Sequence, residues 1–138
     1  MGLSSLLGFA LVLLAFCHHD VAANNQQYLP SPLMFEHKEI RFPPFDSSST
    51  ISFTFRNIGQ YQVGWQFTPN TFTINPYDGV LNTNDEVTVS IRTFRQGDDR
   101  LTLEWINTPD GDATQFDPGW ITTTEGGVRR HNFNVIYE

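Results

Sequence analysis

The chain has 138 residues and a formal net charge of −7, from 15 acidic and 8 basic side chains. That is room for one domain and too little for two comfortable ones. The acidic balance argues against a non-specific nucleic-acid binder and against electrostatic docking on anionic lipid. The 12 Phe, 4 Tyr and 3 Trp supply the large buried area per residue that a thin two-sheet core needs.

Residues 1–23 are a different material from the rest. Leu6 to Phe16 is an apolar run of signal-peptide length, short of the roughly 20 residues a spanning helix needs. Val21-Ala22-Ala23 supplies small residues, which places cleavage after Ala23. Met1 to Ser5 carries no Lys or Arg, and His18, His19 and Asp20 crowd the cleavage region. A retained hydrophobic anchor and a mis-assigned start codon therefore stand beside a cleaved signal peptide. The single cysteine, Cys17, lies inside this leader. The body has no disulfide, although secreted domains of this size often use them, and no Asn-x-Ser/Thr acceptor. In both respects it looks like a domain shaped for the cytosol and given a leader. A secreted destination and a cytoplasmic or cytoskeletal one both stand, with membrane contact only through a retained anchor.

Residues 24–32 are polar and Pro-bearing and read as a flexible lead-in; residues 33–138 form the body. Leu33-Met34-Phe35 and Glu39-Ile40-Arg41-Phe42 read as two short strand pieces, stopped by Pro43-Pro44. After the turn Asp46-Ser47-Ser48-Ser49, residues Thr50 to Asn57 alternate cleanly, with Ile51, Phe53 and Phe55 on one face. Asn57-Ile58-Gly59 turns the chain. Val63, Trp65 and Phe67 face inward on the next strand, which Pro69-Asn70 ends. Phe72-Thr73-Ile74 is a short strand closed by the turn Asn75-Pro76-Tyr77-Asp78-Gly79. Val87, Val89 and Ile91 alternate with Thr88, Ser90 and Arg92. Gln96-Gly97-Asp98-Asp99 is a loop before a strand over residues 100–108, with Leu101, Leu103 and Trp105 on one face and Thr102, Glu104 and Ile106 on the other. Residues 109–127 read as a long irregular connection. A final strand from Val128 to Tyr137 places Phe133, Val135 and Tyr137 together. Seven main short strands, turn signals every 8 to 12 residues and no helical period after the leader predict an all-β fold, a β-sandwich of two packed sheets. The predicted core is Phe42, Ile51, Phe53, Phe55, Trp65, Phe67, Ile74, Val87, Val89, Ile91, Leu101, Leu103, Trp105, Phe133 and Val135.

No residue set carries catalysis, a cofactor or a metal. Asp110-Gly111-Asp112 with Asp117 fails the calcium-loop pattern, because the twelfth position from Asp110 is Ile121 where a Glu is needed. His37 and His131 are isolated and make no zinc site. Ser47, Ser48 and Ser49 sit in a turn without a nucleophile-elbow context. Arg129-Arg130 points to opposite faces of a strand. One guanidinium is expected near Asp98-Asp99 or Asp110-Asp112, either in an ion pair or in a contact across a subunit interface. Trp120 either plugs the end of the sandwich or anchors a partner. The first β edge is a route to assembly, and Arg41, Pro43 and Pro44 would blunt it.

The order of motifs carries a resemblance. P-Y-D-G-V-L at 76–81, E-V-T-V-S-I-R at 86–92, R-L-T-L-E-W-I-N-T-P-D-G-D-A-T-Q-F at 100–116 and G-V-R-R-H-N-F-N-V-I-Y at 127–137 together resemble the major sperm protein family of nematodes, over roughly residues 30–138. The resemblance implies a seven-stranded immunoglobulin-like sandwich without enzymatic activity. It implies a protein that dimerises and forms the filaments of the sperm motility cytoskeleton, with some members acting outside the cell as signals. It singles out Trp105, Asn107, Thr108, Pro109, Asp110, Gly111, Arg129 and Arg130 as signature or contact residues, beside Trp120 from the loop reading above. Related membrane-contact proteins bind short acidic, Phe-containing peptides. This chain departs from the family in its leader, in a shorter loop between the Ile91 and Leu101 strands, and in Trp65-Gln66-Phe67-Thr68-Pro69-Asn70, where the peptide-binding relatives carry basic residues. The expected partner is a second copy, with a protein partner or receptor beside it. A peptide-binding adaptor is the alternative.

Overall fold

The structure is a computed structural model and describes residues 29–123 and 127–138. The leader, its cleavage point and residues 24–28 of the lead-in lie outside the described residues. The elements are β1 (Leu33–Phe35), β2 (Glu39–Phe42), β3 (Ser49–Asn57), β4 (Val63–Phe67), β5 (Thr73–Asn75), β6 (Asp78–Leu81), β7 (Glu86–Thr93), β8 (Arg100–Asn107), α1 (Gly119–Thr123) and β9 (Arg129–Tyr137). They form a four-stranded sheet, β1-β3-β7-β5, and a five-stranded sheet, β2-β9-β8-β4-β6. Pairing is antiparallel except between β2 and β9, which run parallel. The sandwich read from the alternation is the fold observed.

The core follows the period-2 reading closely. Phe42, Phe53, Phe55, Trp65, Phe67, Ile74, Val89, Ile91, Leu101, Leu103, Trp105, Phe133 and Val135 are buried. Ile51 and Val87 are only partly buried and pack against that cluster. Ile51 lines an open groove between β2 and β3, so one of its flanks meets solvent. Leu33, Ile40, Val63, Phe72, Leu81 and Ile106 join the buried set.

Three elements differ from the sequence reading. Asp78-Gly79 was expected to close a turn, yet it opens β6, an edge strand on β4. Gly79 faces Trp65 across the ladder, and a side chain there would come within 3.1 Å of the indole. The glycine answers to packing, not to turn chemistry. The indole Nε1 of Trp65 is buried without a hydrogen-bond partner, and the ring packs edge-on to Phe55 and Phe67. With β6 added, and the two opening pieces assigned to different sheets, the described residues hold nine extended segments instead of seven. Within the connection read as irregular, α1 forms a single turn. Asp117 caps it, its carboxylate accepting from Gly119 N–H at 2.9 Å, and Pro118 stands just ahead. Five residues are too few to write a helical period.

The outer face of the four-stranded sheet is a field of short hydroxyl side chains. Thr54 and Thr88, opposite each other on β3 and β7, share a 2.7 Å hydrogen bond, and Ser52 stands opposite Ser90 beside them.

Candidate functional site

The signature stretch from Trp105 to Gly111 closes β8 and enters a loop, and its side chains turn inward to grip two other segments. Asn107 and Thr108 are fully buried. Asn107 accepts from the backbone N–H of Ser31 at 3.1 Å and donates to the carbonyl of Leu29 at 3.2 Å. Trp105 Nε1 donates to the carbonyl of Ser31 at 2.8 Å, and Arg129 Nη1 to that of Pro30 at 3.0 Å. The Ser31 hydroxyl bridges the backbone of Tyr61, donating at 2.8 Å and accepting at 2.9 Å. Residues 29–31 are thus clamped mostly through their main chain. Pro30 and Ser31, which composition groups with the lead-in, are buried parts of the body.

The second grip works through Gln62. Thr108 donates to its side-chain oxygen at 2.7 Å, and the Ala113 backbone N–H donates to the same atom at 2.8 Å. The Gln62 amide returns two bonds, to Ala113 O and Asn82 Oδ1. Between these anchors Pro109 is half-buried and Asp110 exposed. Gly111 takes a φ of 78°, the left-handed region that favours glycine. The Pro-Asp-Gly run is therefore the turn it looked like, and the buried Asn107 and Thr108 fix where the turn hangs.

Arg129 and Arg130 do point opposite ways, but neither guanidinium pairs with Asp98-Asp99 or Asp110-Asp112. Arg129 belongs to the clamp just described. Arg130 pairs with Glu104 at 3.0 Å, its neighbour in the β8–β9 register, and Gln66 donates to the other oxygen of that carboxylate at 2.7 Å. The register decided the pairing: Glu104 stands directly across from Arg130, while the acidic loops lie beyond either end of the strand. Tyr77 has its phenol pKa raised, first by burial and then by the charges of Glu104 and Asp78. Tyr137 is raised as well, chiefly by burial, with its hydroxyl donating to Asp98 O at 2.8 Å.

Trp120 neither plugs the end of the sandwich nor stands out as an anchor. It is half-buried over the outer face of the five-stranded sheet, edge-on to Phe116 with ring centroids 5.7 Å apart. Beneath the pair lies Gly64, whose neighbour in the β4–β8 register is the buried Ile106. This cover explains why an outward position on β8 is apolar. A Cβ on Gly64 would lie 2.7 Å from Trp120 and 2.8 Å from Phe116. Gly64→Val should lift the loop, cost about 1–3 kcal/mol through overpacking and shift tryptophan emission to the red. Unchanged melting and emission would refute this cover.

The remaining feature is an uncovered strand edge. β1 pairs with only Phe55–Asn57 of β3, and Glu36 extends the contact by donating its N–H to Thr54 O at 2.9 Å. Strand alternation aims the main-chain groups of Ser52 and Thr50 at the same side as those of Thr54, and no described strand pairs with them there. This edge opens on the groove of about 540 Å³ whose far wall is β2, with His37, Lys38 and Arg41. Arg41 pairs with Glu39 at 2.6 Å and with Glu138 at 3.4 Å. Among the described residues no group of three or more His, Cys, Asp and Glu side chains is placed to hold a metal ion, and no helix is long and apolar enough to cross a membrane.

No protein-family model matches the chain. Curated relatives do. The chain is 35% identical over 104 residues to major sperm protein isoform alpha of Ascaris suum, covering 68% of this chain and 81% of that protein. Major sperm protein 2 of Onchocerca volvulus matches with the same identity and coverage. Among solved structures, WR4, a C. elegans major sperm protein family member, superposes with a TM-score of 0.61 at 8% identity, over 78% of this chain and 99% of that one; at that identity the likeness concerns the fold alone.

Proposed function

Because the chain belongs to the major sperm protein family, we propose that it is a self-associating structural module, without bond-making chemistry, whose copies join through the uncovered edge of β3. The single observation that carries this reading is that edge: main-chain donors and acceptors at Thr50 and Ser52 flanking the groove along β2. Free edges accept a further strand or a symmetric partner, with a two-fold dimer as the first product and filaments as an extension of it. The test is sedimentation of the full chain across concentration, beside Ser52→Pro, which removes one donor from that edge. The expected result is a dimer fraction that rises with concentration and falls sharply in the variant, with circular dichroism unchanged. A strict monomer at high concentration sinks the proposal.

The leader supports a secretory route for this family member, and an extracellular structural or signalling role follows from that route. The mature N-terminus of native material decides it: a start at Asn24 supports the route, and an intact Met1 overturns it. The adaptor alternative has weaker footing. The outward positions of β4 are Gly64 and Gln66, with Thr68 just past its end, and Arg130 beside them is committed to Glu104, so an acidic peptide finds no free countercharge there.

A further inference from the structure

We propose that residues 29–35 form an exchangeable arm, and that the site holding this arm accepts the same segment from a second copy of the chain. This rests on the self-association proposed above and adds a second way for copies to join. The first reason is how the arm is held. Trp105, Asn107 and Arg129 bond to its carbonyls and to one amide, and Leu33–Phe35 adds a three-residue ladder to β3. Every one of these groups is offered identically by another copy.

The second reason is that the site cannot stand empty. Phe35 reaches into the core, its ring 4.9 Å from Phe133 and 6.0 Å from Trp105, and Ser31 is only 2% exposed. An undocked arm would break the bonds that Asn107, Trp105 and Tyr61 make to it, and the Trp105 N–H is a buried polar group that is costly to leave unpaired. A segment able to satisfy all of them at once must carry the arm's own pattern: a small hydroxyl residue at position 31 and an aromatic at position 35.

The third reason is the connection. Only Glu36, His37 and Lys38, all exposed, carry the chain from β1 in one sheet to β2 in the other. So short and exposed a connection is a hinge about which the strand before it can be exchanged. Leu29 is 78% exposed, so the arm enters its site from outside, with no threading. A swapped pair keeps every contact of the closed chain, which makes the exchange a matter of concentration, and slow, since each arm must first leave the core.

Met34 and Arg56 face each other across β1 and β3, and both side chains are exposed. In the full chain with Cys17→Ser, Met34→Cys protein is mixed with Arg56→Cys protein at high concentration, opened briefly in denaturant, refolded together and oxidised. Cross-strand neighbours meet disulfide geometry, so arm exchange gives a covalent heterodimer in several-fold excess over the two homodimers. Heterodimer at no more than the statistical share, while sedimentation still shows dimers, overturns arm exchange and leaves the β3-edge reading standing. Strict monomers overturn both.

Discussion

Phe133→Ala is expected to be the most damaging single truncation in the body, lowering stability by about 3–5 kcal/mol. Phe133 is fully buried at the centre of β9. Its ring lies 4.9 Å from Phe35, 5.0 Å from Phe53 and 4.5 Å from His131, so one side chain touches the arm, the four-stranded sheet and its own strand. Truncation removes the transfer energy of the ring and leaves a cavity that rigid neighbouring strands cannot close. Total stabilities of such domains are about 5–15 kcal/mol, so the loss consumes a large share. Urea titration followed by tryptophan emission measures it; a loss under about 1 kcal/mol would mean that the core relaxes around the gap.

Asn107→Ala should cost about 1–3 kcal/mol, because it orphans the buried N–H of Ser31 and releases the carbonyl of Leu29. The informative comparison is Asp110→Ala, three residues along the same motif. Asp110 is exposed in the turn, and surface changes of that kind usually stay within about 0.5 kcal/mol. The two variants separate a residue that organises the fold from one that decorates it. Equal effects would refute the clamp.

The sandwich was legible because its information is local. Strands β3, β7 and β9 state their inward faces every second residue, and their aromatic and β-branched side chains leave few other solutions. What was not legible depends on residues far apart in sequence. Nothing near Ser31 announces that it meets Asn107, 76 positions away, nor that Gln62 holds a loop 51 positions on. Gly79 misled for a related reason: beside Asp78 it has the chemistry of a turn, and only the indole across the ladder reveals its use. The Arg130–Glu104 pair needed the β8–β9 register, which alternation alone leaves free to slide by two. The one sequence clue to the cover of Phe116 and Trp120 was Ile106, an apolar residue on the polar side of its strand.

The parallel pairing of β2 with β9 has a consequence for synthesis on the ribosome. The four strands of the first sheet all lie before residue 94, so they can zip as they emerge. β2 leaves the exit tunnel early but waits for the last strand: Phe42 can stack on Phe72 beside the first sheet, yet the main chain of β2 has no ladder partner until β9 arrives. Birth of this domain therefore ends with a long-range step, and a nascent chain stalled before residue 129 should be the form most in need of a chaperone.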